Sequence, residues 1–291
     1  MEDRTLAIPL ELAARSEPAP SSRSRLRGSG AMPASARGLT LGVSSILVSL
    51  AAWQLASTLR FDFVFRFENV PPPTAVVRAA GELFVAPNFA AHVASSVCRV
   101  LAGFLLASAG AVVLGLAIGR FRTARQLLLP PLELVRPIPA VAWIPLAILL
   151  FASAEHSMIF ITFIGAFFPV LLNTIHGVEG IDRRLLDAAL TLGASPLDIY
   201  VHVIVPGALP SIVTGLSIGM GTSWFSLVTA EMISGQFGVG YYTWEAYTLQ
   251  QYPNIVLGMV MIGLLGWASS AAIQWGGRRL TPWFKPLARS A

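Results

Sequence analysis

Residues 187–206 read DAALTLGASPLDIYVHVIVP, a polar stretch in a chain of which 55% of the residues are hydrophobic and only 12% are charged. An ordinary soluble domain carries about 25% charged residues. Apolar segments that approach or exceed the length of a bilayer span lie on either side of the stretch, near 158–175 and 211–232. The composition therefore predicts an integral membrane protein, and it places residues 187–206 in a loop outside the hydrocarbon layer.

This loop carries local helix signals. Ser195, Pro196 and Asp198 stand in the order of a helix N-cap, a proline at the first helical position and an acid at the third. Gly193 can adopt the positive φ that ends a helix. We expect two short helices joined at Gly193, with Pro206 at the start of the next apolar segment.

Hydropathy along the whole chain predicts an all-α membrane protein with six transmembrane helices, because apolar windows of about 20 residues recur six times. The third window contains several prolines and should be interrupted. The predicted spans are 41–58, 93–118, 127–151, 158–175, 211–232 and 255–275.

The distribution of positive charge predicts the orientation. With six spans, both termini and the loop at 182–206 share one side, and most of the 20 Lys and Arg residues lie on that side. The positive-inside rule then puts both termini in the cytoplasm, and the net charge of +5 gives no reason to expect a nucleic-acid partner. Residues 1–38, rich in Ser, Pro, Ala and Arg, predict a disordered cytoplasmic tail before a transmembrane domain at 39–291. Cys98 is the only cysteine, so neither an intramolecular disulfide nor a cysteine metal cage is expected.

The loop at 182–206 resembles the signature of the membrane subunits of ATP-binding-cassette (ABC) importers. That signature reads Glu-Ala-Ala, three residues, Gly, nine residues, then Ile, any residue, Leu and Pro; here Asp, Val and Val replace Glu, Ile and Leu. The resemblance implies that this coupling loop docks into a separate ATPase subunit. The residues it marks as ATPase-coupling, together with the N-cap serine, are Asp187, Ala188, Ala189, Gly193, Ser195 and Pro206. The alternative is a plain amphipathic connector between two spans.

The sequence also predicts that ATP is bound elsewhere. A P-loop requires Gly-Lys-Ser/Thr, and the only lysine, Lys285, stands between Phe284 and Pro286. No cofactor or metal is therefore expected in this chain, and ATP and Mg would belong to a partner ATPase. The loops are too short for a solute-binding domain, so an importer would need a separate solute-binding protein outside the cell.

A second resemblance narrows the family. Residues 136–146 (RPIPAVAWIPL), 99–106 and 224–233 are similar to the nitrate, sulfonate and taurine importer permeases, over roughly residues 70–285. This resemblance implies a type I, MetI-like core of five helices at about 90–276, with one peripheral N-terminal helix. It also implies a location in the bacterial inner membrane, pairing with a second permease subunit as a homodimer, and a small anion as cargo. Which solute is carried stays open.

Residues of the translocation path are expected in two places. Arg136, Pro137, Pro139 and Trp143 lie where prolines interrupt the third span, and non-helical backbone at that depth needs a cavity or protein around it. The alternative is a kinked packing helix. Ser223 and Trp224 either line the path or pack, because Gly215, Gly219 and Ser223 repeat every four residues as a small-residue stripe. The residues proposed for the path are Arg136, Pro137, Pro139, Trp143, Ser223, Trp224 and Glu231.

Two ionisable residues within spans require an explanation. We expect Arg99 to extend towards the membrane surface and anchor its helix. Glu231 fits a structural or gating role, either as an outer gate or as the partner of an arginine.

Two other classes of protein remain as alternatives. Gly215-Leu216-Ser217-Ile218-Gly219 matches the Gly-x-Ser-x-Gly pattern of serine hydrolases, which would suggest an intramembrane protease. The four histidines lie in loops or at span ends, so Ser217 lacks an evident base. An ATP-independent secondary transporter or channel is the other alternative, although buried acids and an inverted repeat are not evident.

Overall fold

The computed structural model describes residues 34–59, 69–234 and 237–283, and all regular elements in these ranges are helices. In chain order they are α1 (Ala34–Leu59), α2 (Pro73–Val85), α3 (Phe89–Arg120), α4 (Arg122–Val135), α5 (Ile144–Leu150), α6 (Ala154–Glu179), α7 (Arg183–Thr191), α8 (Pro196–Ile199), α9 (Val205–Ser234), α10 (Val239–Thr248) and α11 (Tyr252–Leu280). A 3-10 helix (Ala140–Trp143) precedes α5, and a π-helix (Tyr200–Ile204) joins α8 to α9. Residues 1–33 of the predicted disordered tail lie outside the described residues.

The chain divides between Ser49 and Leu50 into two compact units. The described part of the first unit is the N-terminal portion of α1, which is apolar and solvent-exposed from Thr40 onward. The second unit contains the end of α1 and all the later helices.

Five helices of the described chain are long and apolar enough to cross a membrane, and a bent pair of shorter helices makes a sixth candidate span. Each predicted span therefore coincides with a helix or with this pair. The third predicted span, 127–151, consists of two pieces, Arg122–Val135 and Ala140–Leu150, which meet at an angle of 82°. The prediction of six spans with an interrupted third one is confirmed.

Prolines account for the bend. Pro137 and Pro139 have no N–H to donate to a helical turn, so a helix running through both would lose two backbone hydrogen bonds. The chain leaves the helix after Val135 and re-enters it through the 3-10 turn at Ala140. Pro130 and Pro131 lie inside α4 without ending it.

The core is centred on α6, which packs along both α3 and α9. Buried residues from these helices form the largest apolar cluster, for example Val100, Val170 and Leu227. Glycines allow the close approach of α3, because a Cβ on Gly103 would lie only 2.6 Å from Cβ of Thr162. Gly215 and Gly219 approach α6 in the same way from α9. The packing interpretation of the small-residue stripe is therefore confirmed.

Two glycines on α3 provide a matched test of this packing. Gly103→Ala should destabilise the protein by about 1–3 kcal/mol, because the added methyl group forces α3 away from α6. Gly110→Ala should be neutral or stabilising by up to about 1 kcal/mol, since its nearest atom would be Phe167 Cε2 at 3.9 Å. Thermal unfolding of the two purified variants in detergent measures the difference, and equal midpoints would contradict the packing described here.

Hydropathy did not predict two shorter helices, α2 and α10, because neither is long enough to span a bilayer. Both lie at the end of the helices opposite the coupling loop. Val76 and Ala79 of α2 pack with Leu257 of α11, and α10 packs on α9 and α11. At this end α2 therefore lies in the connection between α1 and α3, and α10 lies in the connection between α9 and α11.

Candidate functional site

The coupling loop, residues 182–206, begins with α7. The side chain of Asp182 caps this helix by accepting a hydrogen bond from the Arg184 N–H at 2.9 Å. At the other end Gly193 has φ of +78°, and the Ala194 N–H donates to the Ala189 carbonyl at 3.0 Å. The prediction that Gly193 ends the helix with a positive φ is confirmed.

The second helix of the loop starts with a capping box. The Asp198 N–H donates to Ser195 Oγ, and the Ser195 N–H donates back to Asp198 Oδ2, each at 3.1 Å. Pro196 occupies the first helical position. The prediction that a helix begins at Ser195 is therefore confirmed. Ser195, Pro196 and Asp198 were reliable signals because each acts on backbone groups only a few residues away.

The π-helix that follows was not predicted, and Pro206 explains it. In a regular α-helix the ring of Pro206 would clash with the carbonyl of His202, four residues earlier. Here the turn is wider, and the Val205 N–H donates to the carbonyl of Tyr200, five residues earlier. The wide turn also allows Ile199 and Ile204 to enter one apolar cluster, where they are 5% and 2% exposed. Single π-turns of this kind are frequent at functional sites.

One face of the coupling loop packs on the spans, and the other is open. Leu186 and Ala189 contact the apolar cluster formed by Ile199, Ile204 and residues of α6 and α9. Four leucines of this loop are exposed, and Leu192 is the most open of them at 87%. We call these four the leucine patch: Leu185, Leu190, Leu192 and Leu197.

The six predicted coupling residues divide between these two faces. Asp187, Ala188, Gly193 and Ser195 are exposed, whereas Ala189 and Pro206 are half-buried. The leucine patch was missed, although α7 carries apolar residues at 185, 186, 189 and 190. That is the ordinary stripe of an amphipathic helix, so nothing in the sequence indicated which of these leucines stay exposed.

The residues proposed for the path also divide into two groups. Arg136, Pro137 and Pro139 are exposed at the bend between α4 and α5, and Trp143 is half-buried with its indole N–H unpaired among the described residues. Ser223, Trp224 and Glu231 instead lie inside the chain, at 0%, 4% and 0% exposure. Trp224 Nε1 donates to Ser269 Oγ at 2.9 Å. The described conformation therefore leaves only the first group accessible from outside the chain.

Glu231 belongs to a buried ionic cluster at the end of the helices opposite the coupling loop. Arg99 Nη1 donates to Glu231 Oε1 at 2.9 Å, and Arg99 is only 4% exposed. Ser96 Oγ donates to Glu231 Oε1 at 2.8 Å, and the Gly240 N–H donates to Oε2 at 2.9 Å. The buried carboxylate therefore has both a counter-charge and hydrogen-bond donors, as a charge in a low-dielectric interior requires.

The same cluster caps the start of α10. This helix has no side-chain cap of its own at Gly238. Its first N–H groups are satisfied by side chains from other helices: Gly238 by His92 Nδ1 at 3.1 Å, Val239 by Ser96 Oγ at 2.9 Å, and Gly240 by Glu231. Helices α3 and α9 together therefore replace the missing N-cap of α10.

The prediction that Arg99 extends towards the membrane surface is wrong, because this side chain points into the protein. It also donates to the Phe237 carbonyl and makes a two-pronged pair with Glu155, with Nε to Oε2 at 2.7 Å. Glu155 is 51% exposed and so forms the accessible side of the cluster. Glu231 is an arginine partner, which was one of its two expected roles.

Ser217, the candidate nucleophile, has no base in the described part of the chain. Its hydroxyl is buried and has no hydrogen-bond partner there. It lines a cavity between α9 and α11 in which Arg278 is the only ionisable side chain among the described residues. Nucleophilic catalysis requires a base within hydrogen-bond reach, so the geometry does not support the protease alternative.

Fold and site together define a polytopic helical membrane protein with an exposed loop between α6 and α9. The family model described as "Binding-protein-dependent transport system inner membrane component" matches residues 111–286, more than half of the chain. The chain belongs to this family. It is therefore a permease component of a transport system and not an enzyme, which confirms the resemblance drawn from the motifs.

Individual relatives of this chain are named as permeases. The taurine transport system permease protein of Escherichia coli is 32% identical over 252 residues, which cover 85% of this chain and 90% of that protein. The nitrate import permease protein of Leptolyngbya laminosa is 32% identical, with 72% and 78% covered. An ABC transporter permease from Methanocaldococcus jannaschii is 49% identical over 172 residues, which span 59% of this chain and 64% of the relative, less than two thirds of its length. A solved structure of the MetNI methionine ABC transporter has a TM-score of 0.47 and 20% identity, with 65% of this chain and 94% of that chain covered.

Proposed function

We propose that this chain is the membrane-spanning permease subunit of an ATP-driven ABC importer. The leucine patch is the observation that carries the proposal. Four leucines, between 58% and 87% exposed, share one short loop that the flanking spans hold in place. Several large apolar side chains exposed on one short polar loop mark a site that another protein covers. The exposed Asp187 and small Ala188 allow close approach beside them.

The partner at this loop is a separate ATPase subunit, which holds ATP and Mg. A solute-binding protein delivers cargo to the opposite face, and a second copy of the chain completes a homodimeric permease. Both termini and the coupling loop lie in the cytoplasm, and the protein resides in the bacterial inner membrane. The positive charge on the side of the coupling loop supports this orientation.

The cargo is a small anion of the nitrate, sulfonate or taurine type. Taurine and nitrate appear in the names of the relatives, and the bend between α4 and α5 carries an accessible arginine. Arg136 has no ion-pair partner among the described residues, so its charge is available to a passing anion. We therefore assign the bend from Arg136 to Pro139, with Trp143 behind it, to the translocation path.

Transport proceeds by alternating access in this proposal. ATP binding brings the ATPase subunits together, and the coupling loops move with them. The packed half of each loop, Leu186 and Ala189, passes that movement to α6 and α9 through the shared apolar cluster. ATP can shift the equilibrium between the two conformations of the transporter only if it binds one of them more tightly than the other.

The docking step can be tested with a matched pair of leucine variants. Leu192→Glu should lower the amount of ATPase that co-purifies with the permease at least tenfold, because docking would bury an unpaired carboxylate. Leu249→Glu makes the same change at a leucine that is 60% exposed at the opposite end of the molecule. This control should bind ATPase normally. Co-purification from membranes and ATP-dependent uptake in proteoliposomes would both be measured.

Two results would contradict the proposal. Normal ATPase binding by Leu192→Glu would show that the leucine patch is not the docking surface. Full uptake by this chain alone, without ATPase or ATP, would establish the secondary transporter instead.

A further inference from the structure

A cavity of about 770 Å³ lies between α9 and α11, at the end of these helices that adjoins the coupling loop. Pro210 and Ile218 mark its limits along α9, so it extends about 12 Å along that helix at 1.5 Å per residue. Gly277 closes one side, because it packs directly against Val213 with no room for a Cβ. The volume falls within the range of small-molecule sites.

The polarity of this cavity changes along its length. Arg278 lies near the end of α11, where the helix reaches the membrane surface, and it has no carboxylate partner among the described residues. Thr214 lies on the facing side of α9. Its hydroxyl donates to Pro210 O at 3.0 Å and can still accept a hydrogen bond. One further turn into the membrane the wall becomes apolar at Ile218.

Gln274 lies between these regions, one helical turn deeper than Arg278, and its side chain is exposed. Its amide N–H groups can donate to the ester oxygens of a ligand at this depth. Ser217 Oγ lacks a hydrogen-bond partner among the described residues, but it has no accessible surface and is closed to a ligand.

We propose that this cavity binds an anionic phospholipid, with the phosphate on Arg278 and an ester oxygen at Gln274. The acyl chains would lie along Ile218. Basic pockets between spans at the cytoplasmic surface are known to take such headgroups. A free phosphate ion would use the arginine but would leave Gln274 and the apolar wall without contacts. The cytoplasmic location rests on the orientation proposed above, but the lipid site does not depend on the ATPase or on the cargo.

The neighbouring arginine provides a matched control. Arg279 differs from Arg278 by one position and does not line the cavity, and its guanidinium lies 5.0 Å from the ring centre of Trp275. Full-length chain in detergent would be mixed with phosphatidylglycerol, and bound lipid would be measured by native mass spectrometry. Arg278→Gln should bind about tenfold less lipid than the wild type, as expected for a lost charge-assisted hydrogen bond. Arg279→Gln should change binding less than twofold.

Further variants and ligands distinguish a phospholipid from a different occupant of the cavity. Arg278→Lys should restore most of the binding, and Gln274→Leu should weaken it about threefold without lowering the thermal midpoint. Equal lipid loss in the Arg278→Gln and Arg279→Gln variants would overturn the proposal, because attraction would then be to surface charge in general. Equal binding of soluble glycerophosphoglycerol would overturn it by assigning the site to free phosphate esters. A shift from dimer to monomer in Arg278→Gln, with unchanged lipid binding, would show that a second copy of the chain occupies the cavity.

Discussion

Replacing Glu231 with alanine is expected to lower the stability of the protein by about 3–5 kcal/mol, the loss typical when one partner of a buried ion pair is removed. Arg99 would keep Glu155, but it would lose its fully buried counter-charge. Ser96 and the Gly240 N–H would lose their acceptor as well. The unfolding midpoint in detergent should fall by roughly 10 °C, at the 2–4 °C per kcal/mol typical of a domain this size.

Glu155→Gln is the matched control for this experiment. Glu155 pairs with the same arginine but is 51% exposed, and solvent screens such pairs to about 0–1 kcal/mol. The unfolding midpoint of Glu231→Gln should lie between those of Glu231→Ala and Glu155→Gln. The amide oxygen of the glutamine can still accept hydrogen bonds from Ser96 and the Gly240 N–H. A Glu231→Ala midpoint equal to that of Glu155→Gln would show that the cluster does not hold this end of the molecule together.

Replacing Gly193 with valine is expected to reduce uptake at least tenfold while the protein still inserts into the membrane. The φ of +78° at this position is unfavourable for any residue with a Cβ and most of all for a β-branched one. No atom lies near the position of a Cβ there, so the cost is purely conformational. The turn between α7 and α8 would open and displace the leucine patch.

Gly193→Asn tests the same position without the strain. Asparagine tolerates the left-handed region, so this variant should retain most of the uptake. Uptake into proteoliposomes would be normalised to the amount of permease in the membrane. If valine and asparagine variants transported equally well, the geometry of this turn would have no part in coupling.

The sequence predicts this protein well where the signals are local. Gly193 and the Ser195–Asp198 cap act within one turn, and the spans follow from the composition of single segments. Prediction failed where an outcome depends on residues far apart. Arg99 and Glu231 are 132 positions apart, and nothing in either segment indicates that they meet. Their pairing required knowledge of how α3 and α9 pack.

Two further features were left undecided or missed for the same reason. The buried positions of Ser223 and Trp224 depend on which face of α9 contacts α6, and hydropathy cannot distinguish faces in a helix that is apolar all round. The π-helix depends on Pro206 and on the joint burial of Ile199 and Ile204. The proline was visible in the sequence, but the tertiary cluster that accommodates the wider turn was not.

The capping of α10 by other helices has a consequence for the order in which the chain is assembled. Its first N–H groups depend on His92 and Ser96 near the start of α3 and on Glu231 near the end of α9. A growing chain cannot complete this turn until both helices are inserted and aligned, about 140 residues after α3 begins. Unpaired amide groups in a membrane environment are costly, so α10 consolidates late in biogenesis. A chain whose α3 and α9 are misaligned would expose these amides, a defect that membrane quality-control proteases could detect.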